Sequence, residues 1–136
     1  MGFFQALFRR MFGAPTAAPR SVYVDGVPGA PVVLDLTNGS STLTIDTSAA
    51  DTYRVTLTQG VTVVCENGVD GKGTVILLTQ GSGGSKTITL DSDMLLPSSA
   101  TEPLAWSTAA GKTDILAVRY DSAMGKWLVV SVVPGY

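Results

Sequence analysis

The sequence contains no histidine and only one cysteine, and these absences exclude most of the common catalytic and metal-binding constellations. Without histidine there is no Ser-His-Asp or Cys-His activation of a nucleophile and no imidazole metal site. A single cysteine forms neither an intrachain disulfide nor a thiolate zinc cluster. A G-x-x-x-x-G-K-[ST] phosphate loop is also absent. We therefore predict a protein that is not an enzyme and that holds no metal and no cofactor.

Charged residues are scarce as well. The length of 136 residues suits one domain. Because 15% of the residues are charged and 45% are hydrophobic, few charged side chains are available to cover its surface. Residues 1–24 carry a net charge of +3 from three arginines, whereas the remainder carries six basic and eleven acidic side chains, hence −5. The low charge favours a surface that contacts a partner, and the acidic body speaks against binding of nucleic acid.

Few residues are candidates for chemistry. Cys65 ends the apolar run 61–65, which favours a buried small side chain over a reactive thiol. Asp91 and Asp93 are spaced to ligate a hard cation, but an Asx turn made by Asp93 beside a solvated Asp91 is the favoured interpretation. The loop 81–84 is rich in glycine and lies between strands, so it is a hairpin turn rather than a phosphate cradle.

The aromatic residues allow two interpretations. Trp106, Tyr120 and Trp127 would form a platform for a sugar ring if they were exposed together. The favoured alternative is that they pack in the core and at a subunit interface.

The N-terminal segment is the one stretch with a helical pattern. Residues 2–12 place four apolar side chains on one helix face, beside two arginines, and Gly13 and Pro15 end the pattern. The residues predicted to bind a partner are Phe4, Leu7, Phe8, Arg9, Arg10 and Met11. So short a helix needs a surface to dock on, which is its own domain, another copy, another protein or a membrane surface. The apolar residues precede the arginines and are few, so we expect neither an export signal nor a transmembrane helix.

Short strands separated by polar turns make up the rest of the chain. We predict a boundary between an N-terminal arm and linker, residues 1–20, and a β-sandwich domain, residues 21–136. The clearest predicted hairpin joins 75–80 to 86–91 through 81–85. About eight strands in regular succession, with no helix between them, predict an all-β fold: an antiparallel β-sandwich or jelly roll with a short N-terminal helical arm.

The C-terminal third combines one long loop with a second hairpin. Residues 98–111 form the loop, with Trp106 as its predicted anchor. Residues 113–120 and 126–133 form the hairpin. Residues 127–133 are almost wholly apolar, which is typical of a strand that is covered on both sides.

The order of several short motifs resembles a module found in virion proteins of tailed bacteriophages. The sequence Gly73-Thr-Val-Ile-Leu-Leu-Thr-Gln80 precedes a glycine-rich turn and Lys86-Thr-Ile-Thr-Leu90. Ser107-Thr-Ala-Ala-Gly111, Thr113-Asp-Ile-Leu116, Tyr120-Asp121 and Lys126-Trp127 then follow in the module's order. The likeness covers about residues 52–133 and departs at Leu90, where the module often has tryptophan.

This resemblance implies a trimeric β-sandwich or jelly roll carried on a virion. The preferred expectation is a homotrimeric capsid decoration, or cement, protein on the capsid surface, where its partners are itself and the major capsid protein or another virion protein. The runner-up is a tail-fibre or receptor-binding tip that recognises glycan on the host surface. A third, remote reading is a small carbohydrate-active enzyme. We expect the N-terminal arm to be the attachment element, with no role for nucleic acid or a membrane.

Overall fold

The structure is a computed structural model that describes residues 31–100 and 104–136, together with the backbone of residues 23–24 and 27–28. The chain divides into two units, residues 1–30 and residues 31–136. In the first unit, β1 (Tyr23–Val24) pairs antiparallel with β2 (Val27–Pro28). The predicted helical arm and all six of its predicted partner-binding residues lie outside the described residues.

The second unit confirms the all-β prediction. Its described residues contain nine strands in two sheets and no helix. The strands are β3 (Val33–Thr37), β4 (Thr42–Asp46), β5 (Thr52–Leu57), β6 (Val61–Glu66), β7 (Gly73–Gln80), β8 (Ile88–Leu90), β9 (Met94–Leu95), β10 (Thr113–Asp121) and β11 (Lys126–Val133).

Six successive strands wind as a parallel coil with three turns. β3, β5 and β7 lie side by side and parallel in one sheet, and β4, β6 and β8 do the same in the other. Each connection therefore crosses from one sheet to the other, so that each turn of the coil consists of two strands. β10 extends the first sheet antiparallel to β7, β11 pairs antiparallel with β10, and β9 pairs parallel with β11 at the edge of the sheet. The result is a six-stranded mixed sheet, β3-β5-β7-β10-β11-β9, and a three-stranded parallel sheet, β4-β6-β8.

The core is built from the side chains that alternate inward along both sheets. The burial pattern of β7, β10 and the first half of β11 has a period of two, as expected for strands with one face on a core. Buried residues of neighbouring strands form rows across the six-stranded sheet, such as Tyr53, Ile76 and Leu116. The three-stranded sheet contributes the facing layer, with Leu43, Ile45, Val61, Val63, Cys65 and Ile88.

The predicted hairpin of residues 75–91 is wrong. β7 and β8 belong to different sheets, and the loop between them is an arch that carries the chain across the core. β7 is already paired on both sides, with β5 and β10, so it has no edge left for β8. The buried Gln80 side chain replaces the missing ladder: its Oε1 accepts from the Lys86 amide at 2.9 Å, and its Nε2 donates to the Lys86 carbonyl at 2.8 Å.

The second unit has two sheets, but the antiparallel strand pairing predicted for a sandwich or jelly roll is wrong. Four of the seven strand pairs of the six- and three-stranded sheets join successive turns of the parallel coil: β3–β5, β5–β7, β4–β6 and β6–β8. The short polar turns that predicted hairpins are the corners of this coil. The C-terminal hairpin β10–β11 is confirmed, with a bulge between Ala117 and Val118.

Side-chain hydrogen bonds hold neighbouring corners in register. Asn38, 2% exposed, accepts at Oδ1 from the amides of Thr58 at 3.0 Å and Gln59 at 3.2 Å, and its Nδ2 donates to the Ser40 carbonyl at 2.5 Å. At the opposite end of the strands, the Lys72 ammonium donates to the carbonyls of Thr47 and Ala50. These bonds tie the β3–β4 corner to the β5–β6 corner and the β4–β5 corner to the β6–β7 corner, which stabilises the coil against slippage.

Candidate interaction surface

The outer side of the six-stranded sheet is a broad surface with few charges. We call it the outer sheet face, formed by the outward residues of β3, β5, β7, β10 and β11. Its members are Val33, Asp35, Thr37, Thr52, Arg54, Thr56, Val75, Leu77, Thr79, Thr113, Ile115, Ala117, Arg119, Leu128, Val130, Ser131 and Val133. Most are half-exposed or exposed, in contrast to the buried residues that alternate with them.

The centre of the outer sheet face is apolar. Leu77, Ile115 and Val133 form one row across β7, β10 and β11, and Val75 lies next to Ala117 in the row beside it. The C-terminal strand adds more apolar surface there, because Val130, which is 66% exposed, occurs where the register shifts by one residue. The prediction that β11 is covered on both sides is therefore wrong for the described single chain, since its outer side is open.

One border of the outer sheet face is polar. The exposed Arg54 Nε lies 2.8 Å from Asp35 Oδ1, and Arg54 is the neighbour of Leu77. A row of threonines crosses four strands there, and the Thr79 and Thr113 hydroxyls are 2.7 Å apart. Together these side chains line an open groove of about 510 Å³. An apolar centre with a polar border is the usual composition of a protein–protein interface.

The opposite border carries charges of both signs. Arg119 is exposed beside a second groove of about 400 Å³, which Asp70 and Asp121 also line. The pKa of Asp70 is lowered, mainly because its carboxylate accepts from the Ser122 amide at 2.9 Å, with further contributions from the Ser122 hydroxyl and from Arg119. This carboxylate therefore stays ionised at neutral pH, and it fixes the β10–β11 turn to the corner before β7.

The outer sheet face was missed at the level of sequence. The outward residues Leu77, Ile115 and Val133 come from three strands whose neighbours were not known. The apolar composition of β11 was the available signal, and it indicated a covered strand. The predicted partner-binding residues were placed in the N-terminal segment instead, outside the described residues.

The three aromatic residues do not form an exposed platform. Trp127 is 8% exposed, and its ring centroid lies 4.6 Å from that of Tyr120 in a tilted arrangement. A Cβ on Gly68 would lie 2.3 Å from the Tyr120 ring, so this glycine is needed for the ring to pack. Trp106 packs partly buried against the core, as predicted for the anchor of the long loop. The structure thus places Trp127 in the core and packs Trp106 and Tyr120 against it, and the predicted packing at a subunit interface stays a prediction.

The aspartate pair after β8 exchanges the predicted roles. Asp91 makes the Asx turn, since its Oδ2 accepts from the Asp93 amide at 3.3 Å. Asp93 instead forms an ion pair with Lys126, whose Nζ lies 2.6 Å from its Oδ1. The sequence spacing did not predict this ion pair, because Lys126 lies on β11, which pairs with β9 and so runs alongside the turn. Among the described residues, no group of three or more His, Cys, Asp or Glu side chains could hold a metal ion.

Cys65 is buried in the core, as the apolar run predicted. Burial, with a smaller contribution from Asp91, raises the pKa of its thiol from 9.0 to about 12. The thiolate is the nucleophile, so the folded protein holds this residue in its unreactive form at neutral pH.

We expect the Cys65 thiol of the native protein to resist an aromatic disulfide reagent near neutral pH and to react fully once denaturant unfolds the chain. The raised pKa also favours the folded state below pH 9, and this contribution is lost as the pH rises from 9 towards 12. Absorbance of the released thiol measures both states. Rapid stoichiometric labelling of the folded protein would contradict the prediction, and a Cys65→Ser variant gives the background.

Within the described residues, no helix is long and apolar enough to cross a membrane. No protein-family model, curated protein or solved structure matches this chain.

Proposed function

We propose that this protein is a homotrimeric structural protein of a tailed-bacteriophage virion, and that it decorates the capsid surface and stabilises the head. The observation that carries the proposal is where the virion-like motifs lie in the fold. The segments 73–80, 113–116 and 120–127 belong to β7, β10 and β11, which are adjacent in the six-stranded sheet. The motif segments thus contribute Leu77 and Ile115 to the apolar centre of the outer sheet face.

A trimer gives this surface a partner. Three copies arranged around a three-fold axis would turn their outer sheet faces towards each other and bury Leu77, Ile115 and Val133 in a shared centre. Burial of apolar surface is the main favourable term in such association, and in a closed symmetric assembly none of these faces stays exposed to solvent. A three-fold axis also matches the three-fold positions of a capsid.

The alternative function, a tail-fibre or receptor-binding tip that binds glycan on the host surface, has less support. Sugar rings commonly stack on aromatic side chains. Trp127 is buried, Trp106 packs on the core, and no aromatic residue lines the groove beside Asp35 and Arg54. Tyr120 lines the second groove, but its ring packs against Trp127. The preference for capsid decoration is tested by cryo-electron microscopy of purified particles: density at three-fold or quasi-three-fold positions of the head supports it, and density on the tail overturns it.

The trimer is tested by light scattering coupled to size exclusion, with a matched pair of variants. We expect the wild type to have three times the mass of the chain. Leu77→Lys should give folded monomers, because it places a charge in the apolar centre of the proposed interface. Val64→Lys is the control, since Val64 is an outward, half-exposed residue of the central strand of the other sheet. A monomeric wild type would refute the trimer, and two trimeric variants would refute this interface.

Attachment to the particle is assigned to the N-terminal arm. The sequence places Phe4, Leu7, Phe8 and Met11 on one face of the proposed helix, and burying such side chains contributes roughly 1.5–3 kcal/mol each before ordering costs. Three arms on one trimer would add avidity. Deletion of residues 1–13 should leave a folded trimer that no longer binds particles stripped of the protein. A truncated trimer that binds as well as the full chain would contradict this assignment.

A further inference from the structure

We propose that Asn67 is a site of spontaneous deamidation in the folded protein, and that Asn38, which is also followed by glycine, is protected by the fold. The two Asn-Gly pairs occupy corners of the coil, at the end of β3 and at the end of β6. They share the same local chemistry, so a difference between them comes from structure alone.

The Asn67 corner is open to the reaction. Asn67 is exposed, and it adopts a left-handed backbone with φ of 55°. Gly68, which follows, has no side chain to shield its peptide nitrogen. In the described residues no group accepts a hydrogen bond from the Gly68 amide. Asn67 lies beside the half-buried Asp46, because β4 and β6 pair up to Asp46 and Glu66, and its side chain helps to lower the pKa of the Asp46 carboxyl.

At the other corner, the side-chain amide of Asn38 is buried and hydrogen-bonded. Its side chain is 2% exposed. The amide nitrogen, which would leave in the reaction, donates to the Ser40 carbonyl at 2.5 Å. The amide oxygen accepts from the backbone amides of Thr58 and Gln59. Attack on its carbonyl carbon therefore requires this corner to open first.

The reaction consumes only water. The Gly68 peptide nitrogen loses its proton to solvent base and attacks Cγ of Asn67, which forms a new C–N bond. The bond from Cγ to the side-chain nitrogen breaks, and this nitrogen leaves as ammonia after taking a proton from water. Water then opens the cyclic imide at either carbonyl, and the product is aspartate or iso-aspartate.

The product changes the electrostatics of this corner. Residues 46 and 67 lie close together at the ends of the paired strands β4 and β6, so a carboxylate at residue 67 would place a second negative charge beside Asp46. The Asp46 carboxylate remains bonded to the Ser48 amide at 3.0 Å and to the Ser48 hydroxyl at 2.6 Å. We therefore infer that deamidation loosens the corner between β6 and β7 through repulsion between residues 46 and 67.

Peptide mapping by mass spectrometry tests the site. The full-length protein is incubated at mildly alkaline pH, folded and in denaturant, and the acidic products at both positions are quantified. In the folded protein the modified fraction at residue 67 should exceed that at residue 38 by ~10-fold or more, because reaction at Asn38 needs local opening. In denaturant the two should become comparable. Equal modification of the folded protein, or protection of both sites, overturns the proposal.

A variant pair tests the consequence. Asn67→Asp should lower the melting temperature of the otherwise unchanged chain. In an Asp46→Asn background the same substitution should have little effect, because the facing charge is gone. An equal loss of melting temperature in both backgrounds would overturn the inferred repulsion.

Discussion

Gly84→Ala is expected to destabilise the fold strongly, whereas Gly83→Ala in the same arch has a much smaller effect. Both residues have a left-handed backbone, with φ of 60° and 83°, so both substitutions carry the conformational cost of ~1–2 kcal/mol for a residue with a Cβ. Their surroundings differ. A Cβ at Gly84 would lie 2.2 Å from the Thr108 carbonyl oxygen and 2.8 Å from the Ala110 amide nitrogen, whereas the nearest atom to a Cβ at Gly83 is the end of the Lys86 side chain at 3.8 Å.

The clash at Gly84 cannot be relieved by a rotamer change, because backbone atoms cause it. The arch and the long loop are also joined by the Ser85 amide, which donates to the Thr108 carbonyl at 2.6 Å, so a shift of one strains the other. Overpacking of this kind costs ~1–3 kcal/mol beyond the shared conformational cost. Denaturant unfolding of the two variants measures the difference. Equal losses of stability would show that the arch does not pack on the loop as described.

The alternation of buried and exposed residues within strands such as β10 was predictable from the sequence. Alternation assigned Leu116 and Val118 to one side of β10, and Ile115 and Ala117 to the other, and the structure buries the first pair and leaves the second half-exposed. Burial of Cys65 followed from its apolar run. These assignments depend on the local period of two, which any strand with one face on a core must show.

Which strands pair was not predictable by the same reasoning. A polar turn with glycine ends a strand both in a hairpin and in an arch between sheets, so the corners after β3, β5 and β7 were all compatible with antiparallel neighbours. A longer sequence repeat did indicate how the strands are arranged. Thr-Asn-Gly at 37–39 and Thr-Gln-Gly at 58–60 and 79–81 recur every 21 residues. Recurrence of one corner at a fixed interval is typical of a chain that winds in turns.

The outer sheet face was even harder to predict from the sequence than the strand pairing. The outer sheet face depends on the register between β7, β10 and β11, because a slip of one residue would exchange Leu77 and Ile115 with buried neighbours. Register is set here by contacts between distant parts of the chain, such as the Gln80 carbonyl, which accepts from the Gly111 amide at 2.7 Å. No local pattern reports such contacts.

Replacement of Gln80 should lower the stability of the fold strongly, because its side chain makes several of these long-range contacts. Its side chain is 1% exposed and joins the arch to the long loop, because Nε2 donates to the Lys86 and Ser107 carbonyls at 2.8 and 3.0 Å while Oε1 accepts from the Lys86 amide. Gln80→Leu keeps nearly the same volume but leaves three backbone groups without these partners. A buried polar group that loses its partner costs ~1–3 kcal/mol, so the total should reach several kcal/mol.

Gln59 is the matched control for this substitution, because it occupies the same place in the preceding Thr-Gln-Gly triplet but is exposed. Gln59→Leu should change the free energy of unfolding by less than about 0.5 kcal/mol, as is usual for surface substitutions. Thermal and denaturant unfolding of both variants gives the comparison. If Gln80→Leu were as mild as Gln59→Leu, the buried side-chain amide would not be what joins the arch to the loop, and backbone hydrogen bonds and apolar packing would have to hold the third turn without it.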